Sequence, residues 1–189
     1  MGIVVLAVAI MPMLGVGGMQ LYRAETPGPM KDSKLTPRIT ESAKALWYIY
    51  LGLTVTCMMS YWLAGMSLFD AIGHAFSTVA IGGFSTHDSS IGHFNSALIE
   101  SISMIFMLIA SANFSLHFLA WRNKTLTPYF SDSEYRFFLI VVTGASLFTI
   151  AILLGQNVFD TALDATRSGL FHMISILTTT GFTAGGFHW

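Results

Sequence analysis

The chain is poor in cysteine, in charge and in proline. A single cysteine, Cys57, among 189 residues excludes a disulfide framework and a cysteine-based metal centre within the chain. Charged residues make up only 10%, against about 25% in a typical soluble domain. Water is therefore not the solvent for most of this surface. The net charge of −1 gives no general attraction to nucleic acid. The opening residues, "MGIVVLAVAIMPML", lack the basic leader of a secretory signal peptide and read as the tail of a membrane helix.

What is present is apolar: 53% of residues are hydrophobic and the mean hydropathy is +0.64. A membrane helix needs about 20 mostly apolar residues. Four runs approach this length: Gly2–Tyr22, Ala45–Phe69, Ala97–Trp121 and Phe137–Gly155. Two polar linkers separate them, residues 23–44 and 122–136. They carry Arg23, Lys31, Lys34, Arg38, Lys44, Arg122, Lys124 and Arg136, leaving only Arg167 elsewhere. The positive-inside rule puts both linkers in the cytoplasm. The stretch 45–121 then crosses the membrane an even number of times, and its middle dips in and returns. Asp70, Asp88, Asp160 and Asp164, with Glu100 at the mouth, make the outer side acidic.

The dipping segment carries "TVAIGGFSTHDSS" at Thr78–Ser90, preceded by "SLFD" at Ser67–Asp70. The latter fits a capping box, which satisfies free N–H groups where a helix starts. A helix from Leu68 to Ala80 is about 18–20 Å long at about 1.5 Å per residue. The hydrocarbon core is about 30 Å thick, so the helix is re-entrant. A second glycine stretch, "LTTTGFTAGGFHW" at Leu177–Trp189, repeats the theme. An offset of 98 residues sets Gly83 on Gly181, Phe84 on Phe182, His74 on His172 and Ser77 on Ser175. "TALD" at Thr161–Asp164 is a second capping box, displaced by one helical turn.

Non-helical backbone survives at membrane depth only where it is buried in protein or lines a watery path. A glycine loop also offers carbonyl oxygens that replace the water shell of an alkali cation. The competing reading of Gly82 and Gly83 is a helix C-cap or tight turn. His74 and His172 read as packed or hydrogen-bonded side chains. His87 and Asp88 are the most ligand-like pair, which gives an alternative reading as a secondary transporter of another cation or metal. Asn113 and Ser115 read as interhelical hydrogen-bonding groups. A phosphate cradle would need a strand before the loop and a lysine after it, and neither is present. A third reading is a structural segment that transports nothing.

"GIVVLAVAIMPMLGVGGMQLYRAE", "ALWYIYLGLTVTCMMSYWLAGMSLFDAIGHAFSTVAIGGFSTHDSSIGHF" and "TTTGFTAGGF" closely resemble the TrkH-type membrane subunits of Trk potassium uptake systems, in the Trk/Ktr/HKT superfamily. The resemblance covers nearly the whole chain. It implies an all-α integral membrane fold with potassium-channel-like repeats of span, pore helix, filter loop and span. The repeats are incomplete: residues 1–22 end an earlier repeat, 45–121 form a complete one, and 137–189 begin the next. It implies filter positions at Ala80, Ile81, Gly82, Gly83 and Phe84, and at Thr178, Thr179, Thr180, Gly181 and Phe182. Potassium would be held by the backbone carbonyls of Ile81, Gly82, Gly83, Thr179, Thr180 and Gly181. It also implies a bacterial inner-membrane location, no covalently bound cofactor and no enzymatic activity. The expected partners are membrane lipid, a second copy in a homodimer, and a cytoplasmic TrkA-like ring that binds nucleotide, with no nucleic acid. The first and fourth filters, a glycine-rich gating loop and the arginine of the last repeat have no counterpart, so the chain is expected to be an internal fragment inactive alone.

Overall fold

The computed structural model describes residues 39–156 and 158–185, with side chains from Ala45 onward. The expected span Gly2–Tyr22 and most of the linker 23–44 lie outside the described residues. Among those described, the structure is helical and has no strand. The order is α1 (Ile39–Leu63), α2 (Leu68–Val79), a 3-10 turn (Ile91–Phe94), α3 (Ala97–Ser111), α4 (Phe114–Asn123), α5 (Thr127–Ser131), α6 (Ser133–Gly155) and α7 (Ala162–Leu177). The chain divides into two units: Met1–Leu53 with Ala112–Arg136, and Thr54–Ser111 with Phe137–Trp189.

Among the described residues, two helices are long and apolar enough to cross a membrane, through Ala45–Leu63 and Ser133–Gly155. The second is the more hydrophobic, and it exposes Phe137, Ile140, Leu147 and Phe148. In water such a surface would be a liability; against lipid it is the favoured face. The second expected run, Ala45–Phe69, ends earlier than its composition suggests. Gly65 has φ +105°, a conformation that L side chains rarely adopt. Its N–H bonds the Trp62 carbonyl while that of Met66 reaches back to Tyr61, both at 3.1 Å. This is the Schellman arrangement that stops a helix, and apolar Leu68 and Phe69 start the next one.

The third expected run, Ala97–Trp121, is not one helix. It breaks at Ala112 and Asn113, and Asn113 then caps α4 by accepting a 3.0 Å bond from the Ser115 N–H. The amide read as an interhelical group therefore serves as a local N-cap, a role asparagine fills well. By length and composition α3 and α4 pass together, as a broken span or a re-entrant loop. The linker 122–136 is also more ordered than its composition implies. It holds α5 and the start of α6, where Asp132 accepts from the Tyr135 N–H at 2.7 Å. In the same unit, His117 Nδ1 lies 2.5 Å from the Tyr129 hydroxyl, tying α5 to α4.

The other unit has its core where α2, α3 and α7 meet the end of α1. Tyr61, Ala71, Ala75, Met107 and Phe171 are fully buried there. The Tyr61 hydroxyl lies 2.8 Å from Thr78 Oγ1 and donates to Ser103 Oγ at 2.9 Å. One phenol thus joins α1 to α2 and α3 at a depth where an unpaired hydroxyl would be costly. Gly65→Ala is expected to cost about 1 kcal/mol by forcing an L side chain into the left-handed region. The fall in thermal midpoint of the detergent-solubilised protein measures it, and Gly65→Asn should fall less.

Candidate functional site

The two short helices begin alike. Ser67 accepts from the Asp70 N–H at 3.1 Å and donates to its carboxylate at 2.7 Å. Thr161 and Asp164 repeat this at 3.1 and 2.6 Å. α7 has 16 residues where α2 has 12, which is the extra turn that the displaced capping box implied. At about 18 Å, α2 is too short to cross a bilayer.

They also end alike. Ala80 and Thr178 both cap their helices at φ −79°, ψ −5°. The next residues, Ile81 and Thr179, take φ +55° and +62°; Gly83 and Gly181 take +69° and +86°. Backbone bonds match as well: Gly82 N to Ser77 O at 2.8 Å, and Thr180 N to Ser175 O at 2.9 Å. The glycines do not all act as composition suggests. Gly82 is not among the left-handed residues, and threonine fills its equivalent place at 180. The left-handed position before it falls instead on β-branched Ile81 and Thr179, a strained choice that only firm surroundings sustain.

The two loops touch. A Cβ built on Gly83 would stand 2.0 Å from the Thr180 carbonyl oxygen, so Gly83 is required both by its backbone angle and by this approach. Gly181 is required by its angle alone, since nothing lies within 4 Å of its Cβ direction. Beyond the loops, Gly92 N donates to Thr183 O at 3.1 Å, and Ser90 forms an isolated antiparallel bridge with Ala184. Phe182 is fully buried against His74, whereas its counterpart Phe84 is exposed.

His74 holds the first loop from behind. Its Nδ1 lies 2.8 Å from the Asp70 carbonyl and its Nε2 lies 2.9 Å from Ser85 Oγ. A carbonyl only accepts, so Nδ1 carries the proton and Ser85 donates to Nε2. Asp70 takes a 2.6 Å bond from Thr86 Oγ1, and His87 Nε2 sits 3.2 Å away. The bonds from Thr86 and Ser67 hold the Asp70 carboxyl below the usual carboxylate range. The second loop is pinned differently: Ser175 donates to the Phe182 carbonyl at 2.7 Å, and Thr178 Oγ1 lies 2.8 Å from Thr180 Oγ1.

The histidine and acidic candidates sort themselves. His87 stacks on His93, with centroids 3.6 Å apart and planes 8° from parallel, and its acidic neighbour is Asp70. Asp88 is exposed. Among the described residues no three His, Cys, Asp or Glu side chains form a group able to hold a metal ion. Glu100, expected at an open mouth, is 4% exposed. It receives both Arg167 Nε at 2.5 Å and an Arg167 terminal nitrogen at 2.6 Å. Sequence reasoning missed this pair. The available signal was a lone acid in one apolar run and the lone base outside the linkers.

Apolar spans combined with paired, capped short helices and glycine loops define a helical membrane protein of the transport class. The TrkH family profile, described as a cation transport protein, matches residues 1–187. The chain belongs to the TrkH family, whose members are transporters of the inner membrane and not enzymes. It is 60% identical over 187 residues to the Trk system potassium uptake protein TrkH of Halomonas elongata, covering 99% of this chain and 39% of that one. The Escherichia coli K12 protein of the same name is 53% identical over 183 residues, 97% and 38% of the two chains. The crystal structure of the potassium transporter TrkH from Vibrio parahaemolyticus aligns with TM-score 0.79 at 47% identity, covering 98% of this chain and 37% of that one. The chain thus spans under two-fifths of the relatives it matches.

Gly83→Ala is expected to lower the thermal midpoint more than Gly181→Ala, because only the first adds a collision with backbone to the strained angle. Equal losses would show that the Gly83 approach has slack. Stability contributed by Asp70 is present above its unfolded value of about 3.9 and is lost as pH falls through its lowered folded value. Asp70→Asn should therefore be less stable than the parent at pH 6, with the gap closing towards pH 2 in thermal melts.

Proposed function

We propose that the chain supplies two of the carbonyl-lined loops of a potassium uptake pathway across the inner membrane. Residues 80–84 and 178–182 are the loops, and the carbonyls of Ile81, Gly82, Gly83, Thr179, Thr180 and Gly181 receive the ion. The observation that carries this is the matched backbone of the two loops, in contact at Gly83 and Thr180. The sign of φ alternates along each loop, positive at Ile81 and Gly83 and at Thr179 and Gly181, which lets successive carbonyls turn to one side, whereas in an extended strand they alternate. A row of carbonyls on one side is what replaces a cation's hydration shell. The short helices end at the loops, so their partial negative ends favour a cation there. The names of the relatives supply the choice of potassium.

Two loops do not encircle an ion, so the remaining oxygens come from parts of the protein outside this segment, and the segment alone conducts nothing. Residues 45–121 are one complete repeat, flanked by the end of an earlier one (1–22) and the start of the next (137–189). The linkers 23–44 and 122–136 face the cytoplasm. There they meet a TrkA-like regulatory ring, which binds the nucleotide, while the membrane subunit pairs as a homodimer in lipid.

The test is a chimera in which this segment replaces its counterpart in the Escherichia coli relative, expressed in cells that cannot take up potassium. Growth at low potassium is expected, and Gly83→Ser should reduce potassium-over-sodium preference in flux assays on the purified chimera. Unchanged preference in the Gly83→Ser protein would sink the filter assignment.

A further inference from the structure

We propose that Glu100 and Arg167 are a positioning pair, a part-buried ionic clasp that sets the spacing of the two glycine loops and with it the discrimination among alkali cations. The inference rests on the pathway reading above and assigns that pathway a residue pair outside the loops.

Glu100 lies in the first turn of α3, downstream of the first loop, and Arg167 lies in α7, upstream of the second. They are 67 residues apart in sequence. Among the described residues theirs is the one ion pair that joins the two loop-bearing segments. The other ties along this seam are Gly83 against Thr180, Gly92 to Thr183, Ser90 to Ala184 and Thr183, and the rings of His74 and Phe182.

The chemistry of the pair argues for position over stability. Glu100 is withdrawn from water while Arg167 stays partly exposed, and an ion pair of this kind adds little net stability, since what it gains is offset by desolvation of the carboxylate and by solvent screening. The guanidinium fork instead adds direction: two parallel bonds to one carboxylate fix both distance and orientation. The arrangement is gripped from the other side too. Two residues beyond Arg167, a Cβ on Gly169 would stand 3.0 Å from Ile150 of α6, so α7 lies pressed against that helix.

From Arg167 to Thr178 runs about 16 Å of helix. A tilt of α7 at the pair is carried along it to Thr178–Gly181, where the approach to Gly83 leaves no slack. Releasing the fork therefore shifts one set of carbonyls against the other without altering any residue of either loop.

The experiment measures potassium, rubidium and sodium flux per reconstituted molecule for the same full-length chimera. Glu100→Gln, Arg167→Gln, the double variant and the milder Arg167→Lys are compared, with Gly83→Ser alongside. Each single variant is expected to lose about tenfold in potassium-over-sodium preference, with the double no worse than the worse single, as for residues coupled in one network. Arg167→Lys keeps the charge and loses the fork, so it should fall between. A pair that only aids folding would lower the amount of inserted protein and leave per-molecule preference unchanged, which overturns the proposal. Additive losses overturn it as well. If Gly83→Ser shifts preference and the clasp variants do not, the clasp alone falls; if none shifts it, the pathway reading falls too.

Discussion

Backbone that is not helical has no water to satisfy it inside a bilayer, and each orphaned amide or carbonyl there costs several kcal/mol. The architecture follows from that constraint. The helix stop and the starts of both loops are covered by named partners: the Gly65 stop by Tyr61 and Trp62, the first loop by Ser77 and Thr78, the second by Ser175 and Ile176. Thr183, Ser90 and Gly92 then close the segments beyond the loops on one another. Two groups of polar side chains in this unit are likewise committed to structure. Tyr61, Thr78 and Ser103 form one buried chain of hydroxyls, and His74 is committed at both ring nitrogens.

The acidic outer rim changes character in this light. Asp70 and Asp164 are the last residues of their capping boxes, three positions after the cap, and Glu100 is neutralised by Arg167. What sequence presents as a field that gathers cations is in large part the hardware that starts helices and locks them together.

Much of this was legible in the sequence because local rules govern it. The capping boxes, the shortness of α2, the 98-residue correspondence and the apolar spans all depend on neighbours within a turn or two. The parts that were not legible depend on distance or on competition. Nothing near Glu100 announces Arg167, which lies in another segment. Asn113 sits in an unbroken apolar run, and its preference for capping outweighs the hydrophobic pattern around it. The left-handed angles fall on Ile81 and Thr179 while Gly82, the natural candidate, does without one; chain composition alone favours the opposite choice. The linker 122–136 reads as loop from its charge, yet Pro128 in the first turn of α5 and Asp132 before α6 organise it into helix. The proposed sides of the linkers rest on the pattern of charge, and the proposed filter positions rest on the residues and the family together with the matched backbone of the two loops.

Ile81 and Thr179 hold a conformation that neither residue favours by itself. Such a turn has no local reason to form early, since its own residues pull the chain elsewhere. It becomes stable only once Ser77 and Ser175 have closed from the helix side and the facing loop has arrived. On that ground the loops are expected to set after the helices that flank them. A newly inserted chain would therefore pass through a stage that is fully helical and membrane-embedded yet still has its most exacting few residues unshaped, and quality control at that stage would have only the docking of neighbours to read.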